Sequence, residues 1–162
     1  MPESYHDVIS YLQSKQIVYT LHEHPAVYTC EEAEVHCADI PGLACKNLFL
    51  RNRKGDKYFL IILPAHKRAD LKKIGKIIGD DKIRFASAEK LNEILGLTAG
   101  SVSPFGLIND TDHHAIVYVD RDVYDADVVG FHPNKNTATL ELTGIMFRKF
   151  LTEIGHDVHI LE

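Results

Sequence analysis

Two apolar runs, residues 43–51 and 57–63, flank the polar stretch Asn52-Arg53-Lys54-Gly55-Asp56. Apolar strands joined by a short glycine-containing turn read as a β-hairpin, and Pro64 stops the second strand because it brings no N–H to a ladder. That hairpin forces most of the chain into a sheet-centred arrangement. Within its first strand, Lys46 and Asn47 interrupt the apolar run Cys45-Lys46-Asn47-Leu48-Phe49-Leu50. A buried ammonium must be paired with an anion or lose its proton, so Lys46 either turns outward to water or awaits a ligand's negative charge.

The remaining elements follow from period and punctuation. Tyr5, Val8, Ile9, Leu12 and Gln16 step at helical spacing after a candidate cap at Ser4. Residues 18–22 alternate as a short strand. Thr29-Cys30-Glu31-Glu32 has the form of a capping box and predicts a short helix to about His36. Asp70 opens a helix with Leu71, Ile74, Ile77 and Ile78 on one face, stopped at Gly79. Residues 82–86 read as a strand, and Ser87 starts a helix burying Leu91, Ile94 and Leu95. Residues 97–109 are rich in Gly, Ser and Pro, lack a period, and read as a loop. Strands are expected at 114–119, 128–131 and 137–142, the last two bracketing His132-Pro133-Asn134-Lys135-Asn136. A final helix after Thr143 is expected to bury Met146, Phe147, Phe150, Leu151 and Ile154. Together these predict one α/β (α+β) domain over residues 1–162, a central mixed sheet flanked by helices.

Composition narrows the function. The chain is 45% apolar and 25% charged, as a soluble globular protein is. Neither a signal peptide nor a membrane span is read, which suggests a cytoplasmic protein. Cys30, Cys37 and Cys45 fit no disulfide framework or zinc spacing. His36 reads as a helix-surface residue. His22, His24, His113 and His114 read as surface residues at strand or loop ends, so no metal or cofactor is expected. The net charge of −5 hides an asymmetry: residues 46–90 hold 13 Lys/Arg against 5 Asp/Glu, and the remainder holds 5 against 18. A basic third on an acidic body suits docking on a phosphate backbone, though solvated faces of helices and hairpins have the same composition.

Three motifs then occur in order: Cys45-Lys46-Asn47-Leu48-Phe49-Leu50; Gly100-Ser101-Val102-Ser103-Pro104-Phe105-Gly106-Leu107-Ile108-Asn109-Asp110; and Gly130-Phe131-His132-Pro133-Asn134 with Asn136-Thr137-Ala138-Thr139. In this order and spacing, from about Leu21 to His156, the chain resembles the YbaK/ProX family, free-standing relatives of the editing domain of bacterial prolyl-tRNA synthetases. The Lys-Asn-Leu-Phe-Leu and Pro-Phe-Gly-Leu-Ile-Asn-Asp forms resemble the ProX branch.

The resemblance implies hydrolysis of alanine mischarged on proline tRNA. The ester is already activated, so the site must position a water and stabilise an oxyanion, without a protein nucleophile. In this picture Lys46 grips the terminal nucleotide's phosphate. Gly100 to Pro104 line the site, with the amides of Ser101, Val102 and Ser103 aimed at the ester oxygen. His132 positions the aminoacyl group or the water, and Asn134 holds its turn or reaches the adenosine. Asn47 points to the strand's other face and is expected to bond backbone. The wall of an alanine-sized pocket falls to apolar residues near 29–36 and the strand at Leu43. Contacts to the acceptor end of proline tRNA are expected from Arg51, Arg53, Lys54 and Lys57 on the hairpin. Lys67, Arg68, Lys72, Lys73 and Lys76 follow on the next segment, with Arg84 a further candidate. A monomer is expected, meeting prolyl-tRNA synthetase or an elongation factor in the cell. Two alternatives remain open: action on cysteine or another small residue, and a non-catalytic tRNA-binding module.

Overall fold

The structure, a computed structural model, describes residues 5–24, 42–80, 82–99, 102–131 and 137–161. The helix expected at 29–36 lies outside them, as do Cys30, His36 and Cys37. In chain order the elements are α1 (Tyr5–Ser14), β1 (Thr20–Glu23), β2 (Leu43–Arg51), β3 (Tyr58–Pro64), α2 (Leu71–Ile78), β4 (Arg84–Phe85) and α3 (Ala88–Leu95). A 3₁₀ helix (Pro104–Asn109), β5 (Ala115–Asp120), α4 (Arg121–Asp125), β6 (Val128–Phe131), β7 (Ala138–Thr143), α5 (Gly144–Ile154) and β8 (Val158–Leu161) complete them.

The strands form one mixed sheet in the order β1-β7-β6-β2-β3-β5-β8, with β4 added to β2. The hairpin β2–β3 is antiparallel, with Asn47 opposite Ile62 and Lys46 opposite Leu63. β6 runs parallel to β2, and β5 and β8 run parallel to β3 and β5. Gly42 leads into β2 with φ +96, and a Cβ there would lie 2.8 Å from the Val128 carbonyl oxygen, so only glycine allows β2 this close to β6.

β3 is buried at every position because its two faces feed two cores. Tyr58, Leu60 and Ile62 join the larger cluster with Phe49, Phe105, Phe131, Phe147 and Phe150, covered by α1, α3, α4, α5 and the 3₁₀ helix. Phe59, Ile61 and Leu63 join a smaller cluster with Leu50, Ile74 and Leu161, where α2 is the covering helix. The caps follow the sequence expectations: the side chains of Asp70, Ser87 and Thr143 accept from the amides of Lys73, Lys90 and Met146. Gly79 ends α2 in the left-handed conformation.

Some expectations need correction. α2 covers the small cluster with Ile74, while Ile77 is 43% exposed, because the stripe is wider than the surface beneath it. Met146 is only half-buried, and its sulfur accepts from the Val18 amide at 3.4 Å. Residues 97–109 are no simple loop, since 104–109 form a 3₁₀ helix that buries Phe105 and Leu107. Sequence patterning does not reveal α4 or the last strand β8; both are shorter than a dependable periodic signal.

Candidate active site

β2 pairs with β3 from Cys45 to Arg51 on one edge. On its other edge β6 meets only Leu43 and Ala44, and β4 only Leu50 and Arg51, with the Ala86 amide donating to the Phe49 carbonyl at 2.9 Å. Among the described strands, none pairs with that edge from Cys45 to Leu48. The opening falls on the motif that carries Lys46 and Asn47.

Alternation along β2 separates these neighbours. Asn47 shares a face with Phe49 and the larger core, whereas Lys46 shares one with Leu48, Leu50 and Leu63. The Asn47 Nδ2 donates to the Val102 carbonyl at 3.4 Å, so the 102–104 segment lies on the Asn47 face. The Asn47 Oδ1 is buried with no partner among the described residues. A buried acceptor left unpaired costs about 1–3 kcal/mol, which marks this oxygen out among the described polar groups of the site. The backbone of β2 therefore stands between the Lys46 side chain and the 102–104 segment. Lys46 is half-buried and has no ion-pair or hydrogen-bond partner among the described residues. Its long stem gives the ammonium reach around the open edge.

The loop is held from below. Ser103 is fully buried; its Oγ accepts from the Phe105 amide at 3.1 Å and caps the 3₁₀ helix, with Pro104 in the first turn. Phe105 packs edge-on against Phe131 at 6.2 Å and Phe150 at 5.1 Å. Phe131 is the residue before His132, so one aromatic contact ties the Val102 segment to the end of β6. Asn109 Nδ2 donates to the Leu95 carbonyl at 2.8 Å, fixing the helix to α3. Gly106 makes that approach possible, since a Cβ there would lie 2.7 Å from Leu97 Cδ1 and 3.1 Å from Leu95 Cβ. Gly106→Ala is expected to cost about 1–3 kcal/mol by overpacking, read as a lower denaturation midpoint in urea.

Among the described residues, neither candidate nucleophile at the site, Cys45 or Ser103, is armed. The Cys45 thiol is pushed up to about 12, chiefly by burial, with a bond from the Gly130 backbone opposing and the Asp120 charge adding to the rise. At neutral pH it is a thiol that donates to the Leu43 carbonyl at 3.3 Å. The Ser103 hydroxyl is used as a cap. Gly100, Ser101, His132 and Asn134 lie outside the described residues, so the structure places only Val102, Ser103 and Pro104 of the expected loop.

The basic residues sort into two groups. Arg53, Lys54 and Lys57 are exposed on the hairpin and, with Lys76, Asp56 and Asp80, line an open cleft of about 640 Å³ against the end of α2. Arg68, Lys72 and Lys73 are also exposed. Arg51 is half-buried and donates to the Asn52 and Arg53 carbonyls, which shapes the turn. Lys67 bridges Asp120 at 3.0 Å and Asp122 at 2.9 Å, so its charge is already compensated. Two expected surface histidines hold β1 to β7: His22 meets Glu141 at 2.8 Å and His24 meets Thr139 at 2.8 Å.

Sequence reasoning missed a buried pair beneath the site. Asp110, just after the 3₁₀ helix, accepts from His156 Nε2 at 3.1 Å and from the amides of His114 and Ala115 at 2.9 and 2.8 Å. Both side chains are 1% exposed, and His113 packs over the His156 ring at 4.1 Å. Burial acts to raise the Asp110 carboxyl, but the His156 bond and the two amides outweigh it and hold it below its ordinary value. The only sequence signal was Asp110 at the end of the second motif.

Comparison with known proteins gives the family. Residues 24–150 match the family model for the aminoacyl-tRNA editing domain. The chain belongs to that family, and is thus an enzyme of the aminoacyl-tRNA deacylase class. It is 37% identical over 155 residues to the prolyl-tRNA editing protein ProX of Acetoanaerobium sticklandii, covering 96% of this chain and 94% of that one. It is 31% identical to prolyl-tRNA synthetase associated domain-containing protein 1 of Danio rerio, covering 93% and 83%. A crystal structure described as a candidate trans-editing enzyme for prolyl tRNA synthetase superposes with a TM-score of 0.73 at 24% identity, over 100% of this chain and 98% of that one, which shows the shared fold. Among the described residues, no helix is long and apolar enough to cross a membrane.

Proposed function

We propose that this chain removes alanine mischarged on proline tRNA, acting in trans in the cytoplasm. The observation that carries this reading is the buried Asn47 Oδ1, without a partner among the described residues, on the face of β2 that meets the Val102 segment. An acceptor in that position suits the aminoacyl ammonium or a ribose hydroxyl of the terminal adenosine. Lys46 takes the adjacent phosphate from the other face, so the last nucleotide bends around the strand edge. Amides of the 101–103 backbone stabilise the oxyanion, and His132 orients the attacking water. The protonated Cys45 thiol and the Ser103 hydroxyl used as a cap support water as the nucleophile.

Selectivity comes from exclusion. A methylene is worth only about 1–3 kcal/mol by attraction in an apolar pocket, so a prolyl group must be kept out by shape, as in the second sieve of double-sieve editing. The test is deacylation of proline tRNA carrying alanine, cysteine, serine or proline. Alanine is expected to turn over fastest and proline not at all. A faster rate on cysteine or serine would move the assignment to that residue, and no turnover on any would overturn it.

A further inference from the structure

The edge strand β4 carries a feature that ester hydrolysis does not use. Phe85 is 58% exposed, although a phenylalanine side chain gains by leaving water. Its pairing with Leu50 sets it on the Lys46 face of the sheet, because Lys46, Leu48 and Leu50 alternate along that face. Four residues of strand, about 13 Å, separate Lys46 from Leu50. Exposed Arg84, paired to Arg51, alternates to the opposite face, and the hairpin cations Arg53, Lys54 and Lys57 lie beyond, with Lys76, in the cleft against α2. The acids of that cleft are already engaged by the protein: Asp80 accepts from the Arg53 and Lys82 amides, and Asp56 from Asn52 Nδ2. An uncovered aromatic ring beside a cleft where Arg53, Lys54, Lys57 and Lys76 outnumber Asp56 and Asp80, on the face and edge where the phosphate anchor stands, matches a single-stranded nucleic acid better than an apolar protein surface.

We propose that Phe85 is a stacking shelf for a base of the substrate RNA's single-stranded 3′ end, inward from the nucleotide that carries the ester. The hairpin cations take the neighbouring phosphates. The proposal rests on the deacylase reading for its occupant and extends the contact surface from the open edge of β2 to β4.

The chain contains no tryptophan, so Phe85→Trp installs a sole indole reporter at the shelf. Titration with an RNA acceptor minihelix ending in single-stranded CCA is expected to quench its fluorescence, and the same duplex without the tail is expected not to. In deacylation assays Phe85→Ala is expected to raise KM on the order of tenfold, with kcat and Tm unchanged, and Phe85→Tyr is expected to restore KM. Turnover with an unchanged KM in Phe85→Ala, together with no quenching of the indole in Phe85→Trp, overturns the shelf and leaves the deacylase reading intact. Tail-dependent quenching without turnover on any aminoacyl-tRNA supports the shelf and overturns the deacylase reading instead. Blue-shifted indole emission from RNA-free Phe85→Trp protein of dimer mass would make this a self-association face and overturn the proposal.

Discussion

Lys46→Ala is expected to lower kcat/KM on mischarged tRNA by roughly 10- to 150-fold, the equivalent of losing one charge-assisted hydrogen bond of about 1.5–3 kcal/mol. Thermal stability is expected to stay within about 2 °C of wild type, because the ammonium has no carboxylate partner among the described residues to lose. This combination separates ligand from scaffold. A lysine that braces the fold would lose stability when shortened, and its effect on turnover would follow the folded fraction. Lys46→Arg keeps the charge but replaces a compact ammonium with a planar fork, so partial recovery is expected. Single-turnover deacylation beside thermal melts gives both numbers. Full activity in Lys46→Ala would remove the phosphate anchor, and with it the bending of the terminal nucleotide around β2.

Asp110→Ala is expected to be the most damaging single change to stability, at about 3–5 kcal/mol. The substitution strips His156 of its partner and leaves two backbone amides unsatisfied at the foot of the 3₁₀ helix. For a chain of this size that corresponds to roughly 6–20 °C in Tm. The pH dependence has a fixed sign. The folded carboxyl lies below its ordinary value, while the unfolded one titrates near about 3.9. Asp110 therefore contributes its full stabilisation above that unfolded value and loses it as pH falls towards the lower folded one. Acid unfolding curves of wild type and Asp110→Ala should converge as the pH drops through that window. Curves that stay parallel would show that the carboxyl's charge does not carry the stabilisation.

What the sequence reveals depends on the range of the interaction involved. The β2–β3 hairpin and the caps at Asp70, Ser87 and Thr143 are legible because turn and cap chemistry acts within a few residues. Lys46 and Asn47 stand out as polar residues in an apolar strand, and alternation alone puts them on opposite faces. Which face receives the 102–104 segment is a tertiary fact, carried by Phe105 against Phe131 and Phe150. Lys67 looks like a free surface cation until Asp120, 53 residues on, folds back to it. His156 gives no local hint of Asp110, 46 residues earlier. Ile77 fits the helical stripe yet faces solvent, because period reports the width of an apolar face and not of its counterpart.

The order of strands also governs how quickly the molecule can assemble. Thr20 must find Glu141, Leu43 must find Val129 and Val117 must find Val158, closures that span much of the polymer. Chains whose native neighbours are so remote along the backbone pay loop entropy first and reach the native state slowly, on millisecond to second scales rather than microseconds. The β2–β3 and β6–β7 pairs and the helices can form early from nearby partners, whereas the β2–β6 pairing that bounds the opening beside Cys45 arrives late.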